Sequence, residues 1–323
     1  MNRILVTNSV DPYRNLAFEE LLFETQGGGA SLYLWQNERT VVIGRNQNAW
    51  RECRVELLES EGGRLARRTS GGGAVFHDLG NLNFTFLLPK EDYDLVRQLS
   101  VVRKAAASFG VETSFTGRND LVVANSQAKF SGNAFRFSGR TALHHGTILI
   151  AADMGRLSRY LAPSERKLEA KGVRSVASRV TNLSELNPEL TVERMKTALV
   201  EAFAEEYGRA EAYPEEATDL ERLERIRERF ASWEWRYGET PSFNVSFENR
   251  FDWGCMELLL NVRDGSVASA RCYTDAMDET LADRVQFALH GAIYGKDALR
   301  MRLYALGDEA ARSIADWLSG QPF

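Results

Sequence analysis

The chain has 323 residues, 44% of them apolar and 10% aromatic, and its 40 basic and 45 acidic side chains leave a formal charge of −5. A single core stops growing near about 250–300 residues, so this length calls for two domains. Charged residues of mixed sign exclude a disordered acidic chain and a generically basic nucleic-acid binder. Cys53, Cys255 and Cys272, the only cysteines, form no C-x-x-C pair, so neither a disulfide framework nor a thiolate zinc site is indicated. No run approaches the ~18 apolar residues of a membrane span, and the start MNRILVTNSVDPYRN lacks the basic and apolar regions of a leader. The expectation is a soluble cytoplasmic protein.

In chain order, β-branched runs predict strands over 4–7, 32–35, 40–43, 82–87, 121–123 and 147–150. Between them, helical spacing of Leu16, Glu19, Glu20 and Phe23 after Pro12 predicts a helix over 15–25. Two more are predicted over 93–109 and 191–207, the second opening at Thr191 and presenting Val192, Met195, Leu199 and Phe203. The charge-dense stretch 213–230 reads as a solvated helix near a domain boundary. After it come two strands around an Asp264-Gly265 hairpin turn and a helical tail. The order of elements predicts an α/β fold of the α+β type with a mixed sheet, divided into domains 1–238 and 239–323.

Three segments could carry chemistry. In RLARRTSGGGAVFHD, two arginines and three glycines precede a strand-like run; glycine lets a ligand touch the main chain, and arginine adds a forked donor for the same anion. A plain flexible turn explains the glycines as well, and neither GxxxxGK[ST] nor GxGxxG occurs. In GRNDLVVANSQAKFSGNAFR, Asn119 and Asp120 open a strand and Lys129 precedes Ser131-Gly132-Asn133: Asp120 could hold magnesium on a polyphosphate and Lys129 could meet a phosphoryl oxygen, although Asn-Asp and Ser-Gly-Asn are also ordinary turn formers. In LHHGTIL, His144 and His145 are adjacent and so point to opposite faces of a strand, which argues against one shared metal ion.

Together, RRTSGGGAVFHD, GRNDLVV with KFSGNAFR, and HHGTIL resemble the signature of the lipoate–protein ligases, in that order and at similar separations. DPYRNLAFEE, TVVIGRNQNAWRE, KGVRSVASRVTNL and ASWEWRYG extend the resemblance over nearly the whole chain, to members with an appended accessory domain. The resemblance implies a catalytic domain like that of class II aminoacyl-tRNA synthetases and biotin ligases, joined to a small α+β accessory domain. It implies a two-step reaction: lipoate and ATP give lipoyl-AMP and pyrophosphate, with magnesium, and the lipoyl group passes to a lysine of a carrier domain.

By the same resemblance, ATP falls to Arg68, Gly73, Ala74, Val75, Phe76, Asn119, Asp120 and Lys129, with Asp120 nearest to magnesium. The lipoate and acyl-adenylate contacts fall to Ser70, Gly71, Gly72, His77, Lys129, Arg136 and His145, with Leu16, Trp35 and Val42 as the wall around the acyl chain. Lys129 is the catalytic residue. The implied partners are apo lipoyl domains of 2-oxoacid dehydrogenase complexes and the glycine-cleavage H protein, with no nucleic acid and no membrane. An octanoyl or lipoyl transferase working without ATP, and a lipoate-binding module without activity, are the alternatives. A biotin ligase would call for a basic GRGRxGR loop that this chain lacks.

Overall fold

The computed structural model describes residues 1–116, 120–161, 180–237, 245–263 and 265–321, without the side chains of residues 50 and 51. Asn119, Asp264 and most of KGVRSVASRVTNL lie outside the described residues. Two compact units are present, one of Met1–Ile43, Ala49–Arg68 and Ala74–Arg236, the other of Gly44–Asn48, Thr69–Gly73 and Tyr237–Phe323.

The first unit holds β1 (Asn2–Val6), β2 (Ser31–Trp35), β3 (Thr40–Ile43), β4 (Arg64–Arg67), β5 (Val75–His77), β6 (Asn81–Pro89), β7 (Thr113–Thr116), β8 (Asp120–Val123), β9 (Lys129–Phe137), β10 (Thr141–Leu149) and β11 (Ala210–Ala212). Eight of these make one sheet in the order β11-β1-β2-β6-β10-β9-β8-β7, parallel across the first three and antiparallel beyond. β4-β3-β5 form a small separate sheet.

Alternation along β6 and β10 divides the large sheet into two faces. Leu82, Phe84, Phe86, Leu88, Ala142 and Ile148 pack in one core with side chains of helices Leu95–Ala107 and Val192–Tyr207. Tyr33, Trp35, Leu87 and Leu143 face the other way, into a core with Leu16, Phe18 and Leu21 of helix Pro12–Thr25 and Val42 and Ala66 of the small sheet. That helix begins earlier than its apolar spacing suggests, because Asp11 caps it by accepting from the Tyr13 N–H at 3.1 Å and Pro12 takes the first turn.

Two elements depart from expectation. KFSGNAFRF is a nine-residue strand with no hairpin at Ser131-Gly132-Asn133, since pairing to β8 and β10 on both sides overrides local turn chemistry. The charge-dense stretch resolves into a single 3₁₀ turn at Glu215–Ala217 and helix Leu220–Ala231, which packs on helix Pro12–Thr25 and buries Leu223 and Phe230. It is part of the first unit.

The second unit is an antiparallel meander of β12 (Val245–Phe251), β13 (Gly254–Arg263) and β14 (Ser266–Thr274) with helices Leu281–Leu289, Lys296–Tyr304 and Glu309–Ser319 over a core that includes Leu258, Leu260, Val285 and Leu299. Segments 44–48 and 69–73 belong to it: the Thr274 N–H donates to the Asn46 carbonyl at 2.7 Å, and Asn46 Nδ2 donates to the Glu279 carbonyl at 2.8 Å.

Candidate active site

Lys129 is the first residue of β9, and its ammonium lies 2.6 Å from a carboxylate oxygen of Asp120, the first residue of β8. Their proximity comes from an irregular register. Asp120 pairs with Gly132 and Leu121 with Ser131, but Val122 pairs with Lys129, so Phe130 is an extra residue on β9. A bulge of this kind re-aims side chains. Here it drives Phe130 into the core and puts Lys129 on the same face as Val122, Asp120 and Gly132. Each side chain of the ion pair is about a third exposed.

A buried polar chain lies on the same face of the sheet. Trp35 Nε1 donates to Thr85 Oγ1 at 3.0 Å, and Thr85 Oγ1 donates to Glu19 Oε1 at 2.6 Å. The same oxygen lies 2.9 Å from His145 Nδ1. Arg68 is buried beside this chain, with its backbone N–H donating to the Ile43 carbonyl. Burial lowers the Arg68 guanidinium to about 10, and the Glu19 charge opposes that shift. His77, also buried, is pushed down to about 3 by burial first and by the nearby Arg68 and His145 second. Its Nδ1 is 3.1 Å from Asn37 Nδ2, so the neutral ring accepts there and keeps its proton on Nε2.

The three expected wall residues meet: Leu16, Trp35 and Val42 are buried in one apolar cluster with Tyr33, Ala66 and Leu143. Val75 and Phe76 pair with Val42 and Val41 in the small sheet. His144 and His145 face opposite sides, as alternation requires. His144 sits between Gln98 and Asn133, away from His145 and Glu19. Arg136 forms an ion pair with Glu20, and its guanidinium lies 4.2 Å from the Phe23 ring centroid, so it ties β9 to helix Pro12–Thr25.

Ser70, Gly71, Gly72 and Gly73 belong to the C-terminal unit. Gly72 has φ +87°, a conformation that favours glycine, and its N–H donates to the Ala276 carbonyl at 3.1 Å. The Ser70 carbonyl accepts from the Arg45 N–H at 2.9 Å. The loop is thus held by main-chain hydrogen bonds, and the Gly72 amide is engaged within the protein.

In the sequence, Glu19 served only as part of a helical spacing, and Thr85 and Asn37 stood out for no role. The signal was present for Glu19. A carboxylate on the apolar face of LAFEELLF is tolerated in a core only when hydrogen-bonded or paired. Thr85 and Asn37 carry no comparable signal, because nothing local distinguishes them from other strand and turn residues.

Residues 11–204 match the model of the lipoyl protein ligase A/B catalytic domain. The chain belongs to that family. Residues 240–318 match the bacterial lipoate protein ligase C-terminus, so both parts of the family architecture are represented.

Solved structures of similar fold include LipL1 of P. falciparum in complex with lipoate, at 28% identity and a TM-score of 0.88, covering 99% of this chain and 100% of that one. A bi-partite lipoate protein ligase of Thermoplasma acidophilum, studied with its E2 lipoyl domain, is 26% identical over 76% of this chain and 99% of its own, with a TM-score of 0.64. A lipoate-protein ligase A bound with ATP shares the fold at 24% identity and a TM-score of 0.62, covering 73% of this chain and 98% of that one.

Proposed function

We propose that this protein joins lipoate to ATP, giving lipoyl-AMP and pyrophosphate, and then transfers the lipoyl group to a lysine of an apo lipoyl domain. One observation carries the reading: the Lys129 ammonium, fixed 2.6 Å from Asp120, shares a sheet face with His145 and Trp35, and Trp35 belongs to the apolar cluster of Leu16 and Val42. A cation and an apolar cluster on one sheet face suit an acid with one anionic head and one apolar tail. Family membership supports the same reading, as do the related LipL1 bound to lipoate, the bi-partite ligase studied with its E2 lipoyl domain and the ligase A bound with ATP.

In the first step a lipoate carboxylate oxygen bonds to the α-phosphorus and pyrophosphate leaves. Two anions approach each other, so positive charge must already be fixed where they meet, and Lys129 supplies it. In the second step the acceptor lysine, as the free amine, attacks the acyl carbonyl; AMP leaves and the amine sheds a proton. Lys129 then stabilises charge on the carbonyl oxygen. No protein nucleophile is needed in either step.

Asp120 is the residue that would hold magnesium. Among the described residues no group of three His, Cys, Asp or Glu could bind a metal ion, and a single carboxylate suits magnesium carried mostly by phosphate oxygens and water. When bound, the ion would neutralise phosphate charge.

Burial of each methylene contributes ~0.8 kcal/mol, so an eight-carbon chain should bind this apolar wall as well, and octanoate should compete with lipoate. The acceptors in this proposal are lipoyl domains of 2-oxoacid dehydrogenase complexes and the glycine-cleavage H protein. The test is incubation with ATP, magnesium, lipoate and an apo lipoyl domain, read as the mass gain of the acceptor. Modification only when ATP is present supports the proposal. Equal modification from a lipoyl or octanoyl donor without ATP would make the protein a transferase.

A further inference from the structure

We infer that Gly132 is a positioning residue for the reaction: its missing side chain is the space in which the Lys129 amine lies. This rests on the role proposed above for Lys129. A Cβ at position 132 would stand 2.9 Å from Lys129 Nζ, closer than such atoms approach, and 3.1 Å from its Cε, tighter than ordinary contact. The next neighbour, Thr147 Oγ1, would be 4.0 Å away, in no conflict.

The backbone gives no other reason for a glycine here. Gly132 is not among the glycines with positive φ, so any residue could adopt its conformation. It lies within a strand paired on both sides, where glycine weakens the sheet and marks the close approach of another group. The approaching group is the Lys129 side chain. The extra residue Phe130 turns Lys129 onto the face of Gly132, and the side chain crosses the bare α-carbon to reach Asp120, the cross-strand partner of Gly132. The Gly132 N–H, donating to Thr147 Oγ1 at 3.2 Å, fixes the floor of this seat.

The steric conflict is with the far end of a flexible side chain and with no backbone atom. A methyl group at 132 therefore leaves the fold intact and moves only the amine. Gly132→Ala should melt at or above the temperature of the parent, since alanine also restricts the unfolded chain. An ångström of displacement of a catalytic group can cost about a hundredfold, so lipoate-dependent ATP–pyrophosphate exchange should fall by about that factor, in kcat more than in KM.

The decisive experiment is a double-mutant cycle of Gly132→Ala and Lys129→Ala in the full chain, with exchange rate and melting temperature measured for each. Because Gly132 acts through Lys129, the double variant should be no slower than Lys129→Ala alone. The inference is overturned if Gly132→Ala keeps the parental rate, or if its hundredfold loss persists without the lysine. A second reading needs no activity: labelling by an amine-reactive reagent, followed by peptide mass analysis, should modify Lys129 faster in Gly132→Ala than in the parent. Unchanged labelling also overturns the inference. A parent that catalyses no exchange but whose Lys129 labels faster after the substitution would refute the proposed function and leave the seat intact.

Discussion

Glu19 accepts a hydrogen bond from His145 in the interior of the first unit, 2.9 Å from Oε1 to Nδ1, and the same oxygen takes the Thr85 hydroxyl. This carboxylate therefore orients the imidazole from one side and, through Thr85, the indole of Trp35 from the other. It also faces the buried Arg68 guanidinium, whose positive form it favours.

Glu19→Ala should leave the His145 N–H and the Thr85 hydroxyl without their acceptor, at about 1–3 kcal/mol for each buried donor, and lower the melting temperature accordingly. Glu19→Gln keeps the oxygen but removes the charge. It should stay folded and raise the KM for lipoate about tenfold, the equivalent of one charge-assisted hydrogen bond. Steady-state kinetics and thermal melts of the two variants check this, and a glutamine variant with unchanged KM would count against a role for the charge.

Lys129→Ala should lose two to three orders of magnitude in kcat for adenylation, the ~3–4 kcal/mol typical of a deleted donor to a developing oxyanion. Its stability should hardly change. The ion pair with Asp120 is about a third exposed on both sides, and such pairs contribute about 0–1 kcal/mol. Pyrophosphate release and urea denaturation of the same variant separate the two effects; near-normal release would remove Lys129 from the chemistry.

The sheet strands with clear alternation and the long helices were legible because that alternation and the 3.6-residue period are written into β6 and Val192–Tyr207, whereas of β10 only its end from Thr147 was read as strand. The strand carrying Lys129 was not. Its Ser-Gly-Asn centre has the composition of a turn, and only pairing to both neighbours, with Ser131 and Asn133 buried, makes it a strand. Leu16, Trp35 and Val42 could be named because apolar side chains announce burial. The Glu19–Thr85 contact joins residues 66 positions apart, and no local pattern encodes such a distance. The assignment of segments 44–48 and 69–73 to the C-terminal unit is likewise a product of packing that a contiguous domain boundary cannot express.

Two buried histidines make stability depend on pH. His77 and His144 are both held near about 3, chiefly by burial, so both are neutral in the fold. Neutral His144 has one N–H for the two amide oxygens at 2.7 and 2.8 Å; exchange of N and O in the Gln98 amide, whose Nε2 finds no partner among the described residues, satisfies both contacts. In the unfolded chain each ring takes a proton near pH 6.5. Between about 6.5 and 3 the unfolded state binds more protons, so stability is full above 6.5 and falls as the pH drops through this window, by up to ~1.4 kcal/mol per pH unit for each ring. Urea midpoints at pH 7.5 and 5.5 measure the slope. His144→Gln should reduce it, and an unchanged slope would mean that the His144 ring is not held neutral.

The cysteines offer the sharpest separation from acyl transferases that work through a thioester. Cys53 is buried, and burial, reinforced by the Glu59 charge, raises its thiol to about 12. Cys272 is raised to about 12 by burial and then by Asp283 and Glu257. At pH 7.5 on the order of one thiol in 10⁴ would be ionised at either position, and the thiolate is the nucleophile. Cys53→Ala and Cys272→Ala should therefore modify an apo lipoyl domain with lipoate and ATP within about twofold of the parental rate, with only the small losses of stability that follow from a vacated buried sulfur. Incubation with an octanoyl carrier protein should leave no hydroxylamine-sensitive acyl group on the chain. A thioester trapped at Cys53, lost in Cys53→Ala together with activity, would show that the reaction passes through a covalent acyl-enzyme and that adenylation is not its route.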